Sequence, residues 1–192
     1  MSWHDLFVIE AECGNCELAK RYAGEALAAY PDNHPTLLWL VHDIGYLRMT
    51  GGAFGDALRI FTVLEPRIPP QRKPHIFGAI AYAAGGSGDE EAYESARDTL
   101  SGLDVNPGTA EAWLEVARGA MHLGRIDEAR VAVRTSRAIA AERSEHKIVF
   151  EAEALAERCA DLTENTELEE EAHVQNPAEH FAERIVQKLA TV

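Results

Sequence analysis

The chain has 192 residues, of which 46% are apolar and 26% charged, with a formal net charge of −14. That composition is ordinary for a soluble folded body, while the negative charge opposes binding to a nucleic-acid backbone or an anionic membrane surface. The apolar run 37–41 is far too short to cross a bilayer.

The first predicted helix opens with Trp3-His4-Asp5-Leu6 and closes at Gly14, a residue that tolerates the left-handed backbone at a helix end. A second helix carries Ala19 and Ala23 and stops before Pro31. Asp5 and Glu10 are acidic where an export signal needs an apolar stretch, so no such signal is expected. Three cysteines, Cys13, Cys16 and Cys159, do not make a disulfide framework. A reduced, cytoplasmic setting is the expectation.

Moving the chain by 38 residues lays this helical pair on the next one. Trp3-His4-Asp5-Leu6 falls on Val41-His42-Asp43-Ile44, Gly14 on Gly52, Ala19 on Ala57, Ala23 on Phe61, and Pro31 on Pro69. A third copy follows with Phe77, Ile80, Ala81, Ala84 and Gly88, then Ala92 and Ala96. Ala92 arrives one residue early after its glycine, and Pro107 closes the copy late. The fourth copy holds Trp113, Val116, Ala117, Ala120, Gly124, Ala129 and Val133. Each reads as helix, tight turn, helix, with a small residue in the second helix where two axes approach.

This pattern resembles the tetratricopeptide repeat: an aromatic, large and small apolar residues, a turn glycine, an alanine and a closing proline. The resemblance covers about four copies over residues 1–140. The copies run longer than the usual ~34 residues, and the tyrosine expected late in the first helix is Glu10, Arg48, Ala84 or Ala120. It implies an all-α fold, a right-handed α-solenoid of antiparallel helix pairs, that binds protein rather than catalysing a reaction.

The stretch 142–192 carries 13 acidic and five basic residues. Residues 144–159 read as a capping helix, with Val149, Ala152, Ala156 and Cys159 as its apolar stripe and Leu155 beside it. The pattern suggests one repeat domain over 1–160, an acidic linker over 161–175, and an amphipathic helix over 176–192. Asn176-Pro177-Ala178-Glu179 is a capping sequence for that last helix. Its stripe, Phe181, Ile185 and Leu189, is expected to dock on the chain's own body, on a second copy in a homodimer, or on another protein.

The inner surface of such a solenoid would present His4, Asp5, Val8, His42, Asp43, Tyr46, Met49, Tyr82, Glu115, Arg118 and His122. These are the candidate partner-binding residues. Asp5, Asp43 and Glu115 favour a basic or neutral protein or peptide. Neighbours on a helix do not face each other, so His4 and Asp5 are not a dyad, but a His of one copy could meet an Asp of the next. Cys13-Gly-Asn-Cys16 lacks the second pair a zinc site needs, and Cys16 is expected to pack as a small residue in the second helix. Arg67, Arg72 and Lys73 form a basic patch among prolines, read as a stiff loop. No cofactor, metal or catalytic residues are expected. The expected function is a scaffold, adaptor or regulatory module gripping a peptide or helix. The alternatives are a secretion-type chaperone shielding an apolar client, the sensor part of a larger regulator, and a small enzyme using His4 or His42.

Overall fold

A computed structural model describes residues 1–164. Among these the fold is all-α, with nine α-helices, two short 3-10 turns and no strand. The helices gather into two compact units, Met1–Arg67 and Ile68–Asn176, the latter described as far as Glu164. The division falls where Pro66, Pro69 and Pro70 withhold backbone donors from helical hydrogen bonding. The sequence pattern by itself suggests a single domain over 1–160. No helix among the described residues is long and apolar enough to cross a membrane.

The first unit holds α1 (Trp3–Glu12), α2 (Cys16–Ala29), α3 (Leu37–Thr50) and α4 (Phe54–Leu64). Helix α1 starts at a capping box: Ser2 Oγ accepts from the Asp5 amide at 3.1 Å, and the Ser2 amide donates to Asp5 Oδ2 at 2.7 Å. Helices α1 and α2 pack as a pair, α3 and α4 as another, and α3 also touches α1 and α2. Phe7, Ala19, Ala23, Leu40, Ile44, Ile60 and Phe61 fill the core.

The second unit holds α5 (Lys73–Ser87), α6 (Glu90–Ser101), α7 (Thr109–His122), α8 (Ile126–Glu142) and α9 (His146–Glu164). Here α5 packs on α6 and α7, and α8 on α7 and α9. The α5–α7 contact is backbone on backbone. A Cβ added to Gly78 would lie 2.7 Å from the Cα of Ala112, and one added to Gly85 would meet the Gly119 main chain. Sequence reasoning assigned close approach to the second helices of each pair; the glycines of α5 and α7 add a second close contact.

One turn geometry recurs through both units. Gly14, Gly52, Gly88 and Gly124 all have positive φ. Each donates its amide three residues back, and the next residue reaches five back: Asn15 to Glu10, Ala53 to Arg48, Asp89 to Ala84, Arg125 to Ala120. These are Schellman turns. A fifth joins α8 to α9, where Ser144, at φ 57°, donates to Ala141 and Glu145 reaches Ala140. The sequence pattern starts the capping helix at 144 and misses this turn, because a serine stands where the others have glycine.

Three local expectations change. The register of Ala19, Ala57 and Ala129 is taken in α6 by Tyr93, which is fully buried, whereas Ala92 is half-exposed. Cys16 opens α2 and is exposed, as is Cys13, because the first residue of the helix lies outside the packed stripe. On α9 the buried residues are Ala152, Leu155 and Cys159, while Ala156 is exposed. Helix α9 also continues to Glu164, past the expected start of the acidic linker at 161. The remainder of that linker and the predicted helix with Phe181, Ile185 and Leu189 lie outside the described residues.

Candidate functional site

Two polar clusters form on the first helices of the pairs, one in each unit. In the first unit, His4 of α1 and His42 of α3 both reach Asp43. His4 Nε2 lies 2.9 Å from Asp43 Oδ2, and His42 Nδ1 lies 3.1 Å from Oδ1. An ionised carboxylate only accepts, so His4 donates through Nε2–H and His42 through Nδ1–H. Burial pushes the Asp43 carboxyl up, but the hydrogen bonds from His42 and His4 outweigh it and hold the group below its ordinary range. A histidine of one pair does meet an aspartate of the next. His42 also bonds its sequence neighbour, because the Nδ1 atom sits close enough to the backbone to reach sideways along the helix.

Aromatic rings surround this cluster. His4 stacks near Phe7 at 6.1 Å and meets Tyr30 edge-on at 6.4 Å, while Tyr30 stacks on His34 at 3.8 Å. His42 lies 5.1 Å from Tyr46 and 6.0 Å from Phe61. Val8 and Tyr46 are half-buried. Asp5 and Met49 stand apart from the cluster. The Asp5 carboxylate is committed to the helix cap, and its hydrogen bonds with the Ser2 backbone and side chain lower its pKa. Met49 is buried in the unit's core and offers no surface to a ligand, since the inward stripe of α3 includes its register.

In the second unit, Tyr82 of α5 and Glu115, Arg118 and His122 of α7 come together. Glu115 is only 3% exposed. Arg118 donates to Glu115 Oε1 at 2.6 Å and also approaches Glu151 of α9 at 3.6 Å. Glu115 Oε2 is buried without a hydrogen-bond partner. Burial raises the Glu115 pKa to about 7 against the pull of Arg118. The Tyr82 hydroxyl is raised too, by burial first and by the Glu115 charge second. The Tyr82 and His122 rings lie 5.6 Å apart, tilted 30°. Glu151 is not among the residues the sequence pattern points to. Reading α9 as one more first helix, with Ser144 as its turn residue, places Glu151 beside Arg118.

A further ion network joins α6 to α8. Arg125 bonds Glu94 at 2.8 Å and Glu90, and Arg97 bonds Glu128 at 2.9 Å. Both guanidiniums lie over the ring of Tyr93, at 5.7 and 5.9 Å. The Tyr93 hydroxyl, buried and with no well-placed partner, is pushed up to about 12 by burial and by Glu128. Each guanidinium is held by carboxylates of both segments, which suits a staple between helices. Of the basic patch, Arg67 and Arg72 lie in the two short 3-10 turns between α4 and α5, Arg67 donating to the Val63 carbonyl at 2.8 Å, while Lys73 opens α5 with its ammonium over Phe77. Among the described residues no group of three or more His, Cys, Asp or Glu is placed to hold a metal ion.

Comparison of the chain with family models, with curated proteins and with solved structures finds no match.

Proposed function

We propose that the chain is a tetratricopeptide-like interaction module whose first helices grip a peptide or helix of a protein partner. The repeated Schellman turn supports the helix-turn-helix reading, and the sequence register of four copies supports a solenoid. The observation that carries the functional part is Glu115. A helical body can complete its core with apolar side chains, yet this one keeps a carboxylate at 3% exposure with one oxygen unpartnered. Such a group costs stability, and sites that break a folding rule in this way are where function is sought. The partly exposed rings of His4, His42, Tyr30 and Tyr46 near Asp43 offer a second surface that combines a carboxylate with aromatic groups.

The test is selection from a random peptide library on immobilised protein, repeated with Asp43→Lys and Tyr82→Ala variants of unchanged melting temperature. Enriched peptides that lose binding in either variant support the reading. Peptides indifferent to both changes but lost on Arg125→Ala would move the binding surface to the second helices.

A further inference from the structure

Glu115 is a buried acid with only one of its two oxygens hydrogen-bonded. A carboxylate has about four acceptor sites, and here one oxygen takes Arg118 while the other takes nothing. The charged and titratable groups around it come from each packed element. Helix α5 brings Tyr82, and His75 at 3.5 Å from Glu111; α7 brings Glu111, Arg118 and His122; α9 brings Glu151, with Arg158 acting on Tyr82. Helix α8 faces α7 through an uncharged contact, Ser136 Oγ donating to the Ala110 carbonyl at 2.7 Å. Lys147 sits on the far side of Glu151 at 3.6 Å and is highly exposed. Two carboxylates, Glu115 and Glu151, thus share the one arginine of α7, and Glu111 adds its negative charge near Glu115.

We infer that Glu115, Tyr82 and Glu151 form a site for a cationic hydrogen-bond donor, the side chain of a lysine or arginine on the partner peptide. The inference rests on the interaction-module reading and names the chemistry such a module would select. The Arg118 side chain is 30% exposed and its guanidinium spans Glu115 Oε1 and Glu151. In the proposed complex Arg118 stays with Glu151 and the entering cation donates to Glu115 Oε2. The Tyr82 ring, half-buried beside Glu115, is an aromatic group of the kind a cation favours. Binding of a cation requires the ionised carboxylate, while burial favours the protonated form. Binding therefore releases a proton near neutrality, and affinity falls as the pH is lowered below about 7, by roughly tenfold per pH unit at the limit of one linked proton.

The probes are acetylated, amidated heptapeptide libraries whose central residue is Lys, Arg, norleucine or Glu, measured by fluorescence anisotropy on the full chain. The expected result is at least tenfold tighter binding of the Lys or Arg library than of norleucine, with the preference lost in Glu115→Gln. Calorimetry of the wild type in phosphate and in Tris adds a readout that needs no variant: the apparent enthalpy should differ by the ionisation heat of the buffers. Equal binding of all four libraries, or preference for Glu, overturns the cation site while leaving the interaction module standing. Absence of proton release with the Lys library also overturns it. Failure of every library to bind removes the interaction reading itself, and this inference with it.

Discussion

Asp43 and Glu115 hold the same register before their turn glycines, Gly52 and Gly124, yet their environments are opposite. In the first unit α1 supplies His4 to Asp43, and α3 adds His42, so both carboxylate oxygens are bonded. In the second unit the register of His4 is occupied on α5 by Gly78, which lets α5 lie against Ala112 of α7. The helices come closer, the carboxylate goes deeper, and the donor that would have satisfied it is gone. Side-chain spacing in one unit and backbone contact in the other turn the same register position into a satisfied acid and a strained one.

The largest expected effect breaks this contrast at its source. Gly119→Val places branched carbons against the Ala81 carbonyl, and overpacking at a backbone contact should cost about 3 kcal/mol, read by urea denaturation. Met49→Leu, a volume-conserving change in the first unit's core, should cost less than about 1.5 kcal/mol. Equal losses would mean that α5 and α7 do not touch through their glycines.

The next effect is a pH response of opposite sign in the two units. The Glu115 pKa is raised from 4.5 to about 7, so the folded state holds its proton more tightly than the unfolded chain. Its stabilising contribution is full below pH 4.5 and is lost as the pH rises through 7, on the order of 3 kcal/mol in all. Asp43 is held below 3.8, so its contribution is present above that value and lost as the pH falls through its lowered pKa. Hydrogen exchange at pH 7.5 and 5.5 should therefore show protection rising in α7 on acidification, with no carboxylate-driven rise in α3. Glu115→Gln should flatten the α7 response.

Removing a donor from the satisfied cluster is a smaller perturbation. His4→Ala should cost about 1 kcal/mol, since Asp43 is partly open to water that can replace the lost bond. The smallest effect is a gain. Ser144 holds a left-handed backbone where the other four Schellman turns have glycine, and Ser144→Gly should add about 0.5 kcal/mol, the relief of strain less the extra chain entropy of glycine. Thermal melting resolves it, and a lower melting temperature would show that the serine side chain contributes more than its backbone costs.

The helices, their turns and much of the apolar stripe were readable from residue types alone. Glycine is the one residue that enters the left-handed region freely, so Gly14, Gly52, Gly88 and Gly124 announced their turns. Alanine at a fixed interval after three of them announced tight packing. The same rule fails where the residue type changes: Ser144 hides a turn, and Tyr93 takes a small-residue register that the pattern assigns to the nearby Ala92. The meeting of His4 with Asp43 was foreseeable because equivalent helices of neighbouring pairs lie side by side.

Local sequence determined which segments are helical and where they stop, because capping, periodicity and backbone freedom act over a few residues. Tertiary structure alone decided how near two helices come, and with that the state of each carboxylate. Asp43 and Glu115 differ less in their own side chains than in what the facing helix allows: a histidine that donates to the first, a glycine that draws the backbones together and leaves the second oxygen of the other without a partner.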